Sequence, residues 1–165
     1  MPDNKSRRYW LMKSEPSAFS IEDLKNSPDG TACWDGVRNY QARNLLRDEI
    51  EAGDGVLFYH SNIKPPAIVG IARVVRGGYP DYTAQDSDAD HYDPRATPET
   101  PIWYMVDVQF VRALDPPITR EDLKKEPALK EMGVLKKGNR LSVQPVTEAE
   151  WQTVLKMAGI SDPLA

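Results

Sequence analysis

Short runs of apolar residues, some of them alternating with polar positions, recur along the chain and predict β-strands. In the clearest run, about 102–114, one face of the strand would carry Tyr104, Val106, Val108 and Phe110. Further strands are predicted at about 9–13, 56–60, 68–75 and 141–143. Strands are therefore expected to dominate the middle of the chain.

Three segments carry the signal of a helix N-terminus, in which a hydroxyl residue caps the helix and apolar residues flank its first turn. They are FSIEDL, ITREDL and VTEAEW, with caps at Ser20, Thr119 and Thr147. A fourth helix is predicted from a cap at Asn39 to about Ile50. Its apolar stripe would face the core, and a basic face would point outward, formed by Tyr40, Arg43, Asn44 and Arg47.

A long polar connector, residues 77–101, follows the strands of the middle region. A structureless loop of this length is unusual inside a compact domain and is normally functional or disordered. Its carboxylates could suggest a metal site, but their spacing and the surrounding prolines are typical of a solvated connector. No linker divides the chain, so we expect one domain over residues 1–165 of the α+β class, a small mixed or antiparallel barrel with helices outside.

Composition narrows the possible functions. With a single cysteine, Cys33, and two histidines, the chain cannot form an internal disulfide or an ordinary structural zinc site. We expect a cytoplasmic protein, or a nuclear one in a eukaryote, with no secretion signal and no membrane contact. The net charge of -4 argues against binding nucleic acid by charge alone, so any such contact should be local.

The stretch WDGVRNYQARN contains the residue that raises the question of ligand binding, Trp34. Glycines flank this tryptophan, which predicts a loop. One interpretation is a lid on the core whose indole N–H meets a backbone carbonyl. The other is a stacking platform for a flat ligand, because a nucleobase on an aromatic face gains roughly 1–3 kcal/mol.

Polar groups near this tryptophan suit a nucleotide. Arg38, Arg43 and Arg47 surround a predicted helix start and could contact phosphates, although such arginines often form a solvated helix face. Polar residues also follow two predicted strands. If both strands end on the same side of the barrel, Ser14 and Ser61 could contact the edge of a base stacked on the tryptophan.

Enzyme signatures are missing from the sequence, which has no Walker A loop, G-x-S-x-G, H-E-x-x-H or dinucleotide fingerprint. Cys33 has no obvious histidine base, and the interpretation we favour is a small buried hydrophobic residue.

Seven blocks of the chain, taken in order, resemble the EVE domain, a member of the PUA-like fold group. The blocks are YWLMKSEP, WDGVRNYQARN, GDGVLFYHSN, VGIARVV, YPD, WYMVDV and RLSVQPV. The similarity covers about Tyr9 to Ile160, and one departure is Ile63, where relatives often carry cysteine. It implies a PUA-like pseudo-barrel with surrounding helices, related to the YTH domains that bind methylated adenine in RNA.

The resemblance also implies a function. EVE proteins are regarded as readers of modified bases, particularly methylated or hydroxymethylated cytosine in DNA, turned out of the stack into an aromatic pocket. No cofactor or metal is implied, and a monomer is expected. By motif, the pocket would be lined by Trp34, Lys13, Ser14, Asn39, Tyr59 and Ser61. Further candidates are Tyr79, Asp81, Arg140 and Ser142.

Three alternatives remain open from sequence. The first is a hydrolase of modified nucleosides that uses Lys13, Ser14 and Glu15, although neighbouring residues on a strand point to opposite faces. The second is a reader of a modified base in RNA. The third is a protein-interaction domain with a vestigial pocket.

Overall fold

The computed structural model describes residues 7–164 and contains a mixed sheet of six strands. The strands are β1 (Tyr9–Ser14), β2 (Thr31–Cys33), β3 (Gly55–His60), β4 (Ala67–Pro80), β5 (Tyr104–Thr119) and β6 (Val143–Val146). Their order across the sheet is β2-β5-β4-β3-β1-β6. The β1–β3 pair is parallel and the other pairs are antiparallel, so the expected mixed arrangement of strands is confirmed.

The helices are α1 (Ile21–Lys25), α2 (Tyr40–Asp48), α3 (Arg120–Lys124) and α4 (Glu148–Ala158). All three predicted capping residues are confirmed, because Ser20, Thr119 and Thr147 each accept a hydrogen bond from the backbone N–H three residues later. In each case the acidic side chain at that position bonds back to the cap. Asn39 caps α2 as predicted, but the helix ends at Asp48 rather than near Ile50.

Apolar side chains pack on both faces of the sheet. On one face, Trp10 and Met12 of β1 join Phe58 of β3 in a core that α1 and α2 cover. On the other face, Leu11 of β1 packs with residues of α3 and α4, including the fully buried Trp151. Alternate residues of β1 thus face different cores, as strand geometry requires.

Some predicted boundaries were wrong. The strand β2 was missed, because its three residues carry no alternation and depend on pairing with β5. β4 continues to Pro80 and β5 to Thr119, beyond the predicted ends, since irregularities in their register let the two strands stay paired. The last strand lies at Val143–Val146, displaced from the predicted 141–143.

The 77–101 connector is structured rather than disordered. Its first residues belong to β4, and a 3-10 turn follows at Tyr82–Gln85. Ala84, Ala96 and Trp103 form a small core of their own, and the backbone N–H of Asp93 donates to the carbonyl of Ala84 at 2.8 Å. The sparse apolar residues of this polar segment are therefore the ones that fix its path.

Two features are absent from residues 7–164. In this part of the chain no helix is long and apolar enough to cross a membrane. Nor does it hold any group of three or more His, Cys, Asp or Glu side chains placed to bind a metal ion.

Candidate functional site

Trp34 lies directly after the edge strand β2. Its backbone N–H donates to the carbonyl of Val106 at 2.7 Å, which extends the β2–β5 pairing by one residue. Trp34 is 8% exposed, and its indole packs edge-to-face on Phe58, with ring centroids 5.4 Å apart. Phe58 makes a second such contact with His60 at 5.7 Å. The three rings form a row that leads from β2 to the end of β3.

The indole N–H distinguishes Trp34 from the other tryptophans. Trp10, Trp103 and Trp151 each donate it to a carboxylate, of Asp54, Asp93 and Asp162 respectively, at 2.7–3.1 Å. Within residues 7–164, the N–H of Trp34 has no partner. The indole ring is buried, but its N–H reaches the protein surface, where a ligand could accept it. The ring therefore belongs to the core, as the interpretation of Trp34 as a lid expected. Within the described chain, however, its N–H does not donate to a backbone carbonyl as that interpretation also expected.

The loop after Trp34 is anchored by Asp81, a carboxylate with no exposed surface. Asp81 accepts hydrogen bonds from the backbone N–H of Gly36 at 2.9 Å and from Arg38 at 2.9 Å. The backbone N–H and the hydroxyl of Thr83 donate to its other oxygen. Burial alone would raise the pKa of Asp81, but the bonds from Thr83, Arg38 and Gly36 outweigh it and hold the pKa below its ordinary value.

Gly36 is required where this loop meets the connector. Its φ of 79° lies in the left-handed region, and a Cβ at this position would come within 2.6 Å of the His91 ring. A larger residue would therefore separate the loop from the connector.

The predicted phosphate contacts differ in their availability. Arg38 uses all five of its N–H donors inside the protein, in bonds to Asp81, Thr83, Val37 and His91. A phosphate could be bound by Arg38 only if some of these bonds were lost. The phosphate role of Arg38 stays a prediction, and the geometry favours Arg43 and Arg47 over it.

Arg43 and Arg47 lie on the outer face of α2, as the helical spacing predicted. Arg43 donates to the carbonyl of Ile102 at 2.6 Å. Arg47 forms a two-bond pair with its neighbour Asp48, at 2.8 Å for each bond, with 38% of its side chain exposed. Both guanidinium groups are held near the surface.

The two predicted strand ends do meet. Because β1 and β3 are parallel and Ser14 pairs with His60, both strands end on the same side of the sheet. The backbone N–H of Ser61 donates to the carbonyl of Ser14 at 3.0 Å. The hydroxyl of Ser14 donates to the carbonyl of Phe19 at 2.6 Å. The pairing of the two serines is therefore confirmed, while their contact with a ligand stays a prediction.

Lys13 and Tyr59 point away from Ser14. They are register partners on β1 and β3, and Tyr59 belongs to the core on the other face of the sheet. Burial and the nearby Arg120 lower the pKa of Lys13. Ser142 adjoins Lys13, since its carbonyl accepts the Lys13 backbone N–H at 2.8 Å, and Arg140 is exposed two residues before it. The candidate residues thus form two groups, separated by the sheet.

Asn39 and Tyr79 have structural partners. The side-chain oxygen of Asn39 accepts the N–H of Ala42 at 2.9 Å as the cap of α2, which leaves its amide nitrogen for other contacts. The hydroxyl of Tyr79 donates to Asp107 at 2.5 Å, and the guanidinium of Arg76 lies 3.6 Å from the ring centroid. Burial and the bond to Asp107 raise the pKa of Tyr79. Cys33 is half-buried beside Tyr82 rather than fully buried.

His60 is a residue of this site that the sequence reasoning missed. It was treated as part of a polar strand end, yet it is 8% exposed and continues the row of rings from Trp34 and Phe58. Its Nε2 accepts the backbone N–H of Ile21 at 3.1 Å. The strand alternation that puts Phe58 in the core also puts His60 there, and this signal could have identified it.

The pH dependence of stability should report on His60. Burial lowers its pKa below the ordinary value of about 6.5, and protonation of Nε2 would break the bond from Ile21. The neutral form therefore stabilises the fold above about pH 6.5, and this stability is lost as the pH falls from there towards the folded-state pKa. We expect the unfolding free energy of the wild type to fall more steeply between about pH 7 and 5.5 than that of His60→Gln. Glutamine can accept the same bond without titrating, and identical pH profiles from urea denaturation would contradict this assignment.

A mixed six-stranded sheet with helices on both faces, and a tryptophan loop at its edge, defines a PUA-like protein. The chain belongs to the EVE domain family, whose pattern matches residues 8–157. The fold class and the family expected from the sequence blocks are both confirmed.

Known relatives and structures agree. Mouse thymocyte nuclear protein 1 is 47% identical, over 90% of this chain and 73% of that protein. The crystal structure of human THYN1 in complex with 5-methylcytosine containing DNA is 44% identical, with a TM-score of 0.84 and coverage of 94% of this chain and 99% of that chain. A YTH domain from Zygosaccharomyces rouxii, in complex with N6-methyladenosine RNA, is 16% identical, with a TM-score of 0.54 and coverage of 98% and 88%. The last comparison shows a shared fold only.

Proposed function

We propose that this protein is a reader that binds a modified cytosine in DNA, flipped out of the duplex and stacked on Trp34, and that it does not catalyse a reaction. The observation that carries the proposal is the unpaired indole N–H of Trp34 within the described chain, in contrast to the carboxylate-bonded N–H of the other three tryptophans. A suitable ligand would accept a hydrogen bond from this N–H and lie flat against the ring. A nucleobase has both the polar acceptor atoms and the flat aromatic face that this requires.

The choice of DNA over RNA follows from the degree of similarity. The relative bound to 5-methylcytosine DNA is 44% identical to this chain, whereas the RNA-bound YTH domain is 16% identical. Ligand preference follows side chains, and side chains are retained far more at the higher identity. The net charge of -4 also agrees with a protein that recognises one base through local contacts.

The free energy gained by stacking a base is comparable to the free energy needed to extrude it from the duplex. Extruding a base costs a few kcal/mol, and stacking on an aromatic ring returns roughly 1–3 kcal/mol. Hydrogen bonds to the base edge supply the rest, and Ser61 lies at the nearby end of β3. A bound base needs room beside a ring that is 8% exposed, so neighbouring side chains must move as it enters.

Binding without catalysis is favoured by the geometry around Ser14. A serine nucleophile needs a base that accepts its hydroxyl proton. The Ser14 hydroxyl instead donates to the backbone carbonyl of Phe19 at 2.6 Å, and the neighbouring Lys13 points to the opposite face. Incubating the protein with modified nucleosides should return them unchanged by mass spectrometry. Release of a product would support the hydrolase alternative.

A binding panel tests the proposal. Short DNA and RNA strands carrying plain, methylated or hydroxymethylated cytosine, or methylated adenine, would be titrated at a fixed, stated salt concentration, because phosphate contacts make affinity salt-dependent. We expect at least one strand with modified cytosine in DNA to bind more tightly than its plain counterpart. Equal affinity for every strand would refute the proposal, and a preference confined to RNA would transfer it to the RNA alternative.

A further inference from the structure

An exposed aromatic ring lies at the start of α2, a short distance along the chain from Trp34. Tyr40 is 49% exposed although its ring stacks on Trp103, with centroids 4.8 Å apart and planes inclined by 28°. Trp103 beneath it is 3% exposed. The two rings form a stack with a buried inner member and an open outer one.

The stack is held rigidly. The indole N–H of Trp103 donates to Asp93 at 2.7 Å, and Asp93 is paired with Arg95 at 2.9 Å. Tyr40 is the first residue of a helix capped by Asn39, which fixes its backbone. A ring that is already immobile loses little conformational entropy when a ligand stacks on it.

The arginine beside Tyr40 leaves room for a ligand. The guanidinium carbon of Arg43 lies 5.1 Å from the Tyr40 centroid, whereas Arg76 lies 3.6 Å from the centroid of Tyr79 and covers that ring directly. Arg43 is held in its offset position by its bond to the carbonyl of Ile102 at 2.6 Å. Arg95, with 64% of its side chain exposed, lies on the same surface.

We propose that Tyr40 is a second stacking platform, which holds an unpaired nucleobase next to the one that is read, with Arg43 and Arg95 beside its backbone phosphates. This inference rests on the proposed function, because a flipped base leaves unstacked neighbours and an unpaired partner that can occupy such a surface. An aromatic face accepts any base, since every base has a π-face. The platform therefore adds affinity without adding preference for the modification.

The alternative is that Tyr40 only covers Trp103. In that case its replacement would change stability and leave DNA binding intact. Leucine at position 40 keeps apolar cover over Trp103 but has no aromatic face, and phenylalanine keeps the face and loses the hydroxyl. These two substitutions separate covering from stacking.

The test compares Tyr40→Leu, Tyr40→Phe and the wild type in binding to single-stranded DNA with plain and with methylated cytosine, because the bases beside the cytosine are unpaired in both strands. We expect Tyr40→Leu to weaken binding to both strands by the same factor, about 5-fold to 150-fold, with the ratio between them unchanged. Tyr40→Phe should bind as the wild type does. Tyr92→Ala is the matched control, because Tyr92 is 42% exposed, lies in the 77–101 connector and makes no ring contact within the described chain.

Each outcome decides one question. Unchanged affinity of folded Tyr40→Leu would overturn the platform and leave the proposed function standing. Weakening confined to the methylated strand would also overturn it, since Tyr40 would then belong to the reading pocket. A wild type without preference for methylation would refute the proposed function, yet equal weakening of both strands by Tyr40→Leu would still support the platform. Circular dichroism would establish that each variant is folded.

Discussion

Replacing Trp34 with alanine is expected to remove most of the preference for DNA that carries a modified cytosine. The substitution deletes the stacking surface, which is worth roughly 1–3 kcal/mol, or about 5-fold to 150-fold in affinity. The loss should fall on the modified duplex, because only a flipped base reaches the ring, while weak binding to plain DNA through the arginines persists. Titration of both duplexes, followed by fluorescence of a labelled strand, measures the two affinities separately.

Stability must be separated from recognition in this experiment, because Trp34 is buried against Phe58 and its truncation leaves a cavity. Trp34→Phe retains an aromatic face and should retain part of the preference. Trp151→Phe is the matched control, since Trp151 is a buried tryptophan on the opposite face of the sheet. It should lower stability and leave the preference intact. A folded Trp34→Ala protein that discriminates as well as the wild type does would rule out the stacking role.

Replacing Asp81 with alanine is expected to lower the unfolding free energy by about 3–5 kcal/mol, the usual cost of removing one partner of a buried, hydrogen-bonded ion pair. Arg38, with 20% of its side chain exposed, would lose its carboxylate. The backbone N–H of Gly36 and both donors of Thr83 would lose their acceptor as well. Urea denaturation followed by tryptophan fluorescence measures the change.

Asp48→Ala is the matched control for Asp81→Ala. Asp48 also pairs with an arginine, Arg47, but at the surface, where ion pairs contribute little because water screens them. Its removal should leave stability nearly unchanged. Under conditions in which it is still folded, Asp81→Ala should also bind modified DNA more weakly, because the loop that follows Trp34 loses its anchor. If Asp81→Ala were as stable as Asp48→Ala, Asp81 would not anchor the loop.

The sequence predicted the elements whose signals are local. Capping at Ser20, Thr119 and Thr147 depends on residues within one helical turn, and the paired ends of β1 and β3 follow from two clear apolar strands. β2 was missed because its three residues become a strand only by pairing with β5. Neither strand propensity nor the alternation of apolar and polar residues detects such pairing.

The candidate site was predicted only in part, because some of its contacts also join residues that lie far apart in the sequence. Trp34 could be singled out as a tryptophan between glycines, but its unpaired N–H is visible only against the bonded indoles of the other tryptophans. The engagement of Arg38 depends on Asp81, which lies 43 residues away in sequence. The separation of Lys13 from Ser14 was foreseeable from alternation along a strand, and the observed register agrees with it.

Trp34 is only 8% exposed, which has a kinetic consequence for a base that must stack on its ring. Because neighbouring side chains must move before the base enters, we expect the binding-competent form of the free protein to be a minor population and the apparent dissociation constant to be weakened in proportion to it. Discrimination between cytosines should therefore develop more slowly than the first electrostatic encounter with the duplex. In a stopped-flow trace, a fast phase common to both DNAs would precede a slower phase specific to the modified one, and the slower rate would level off at high DNA concentration.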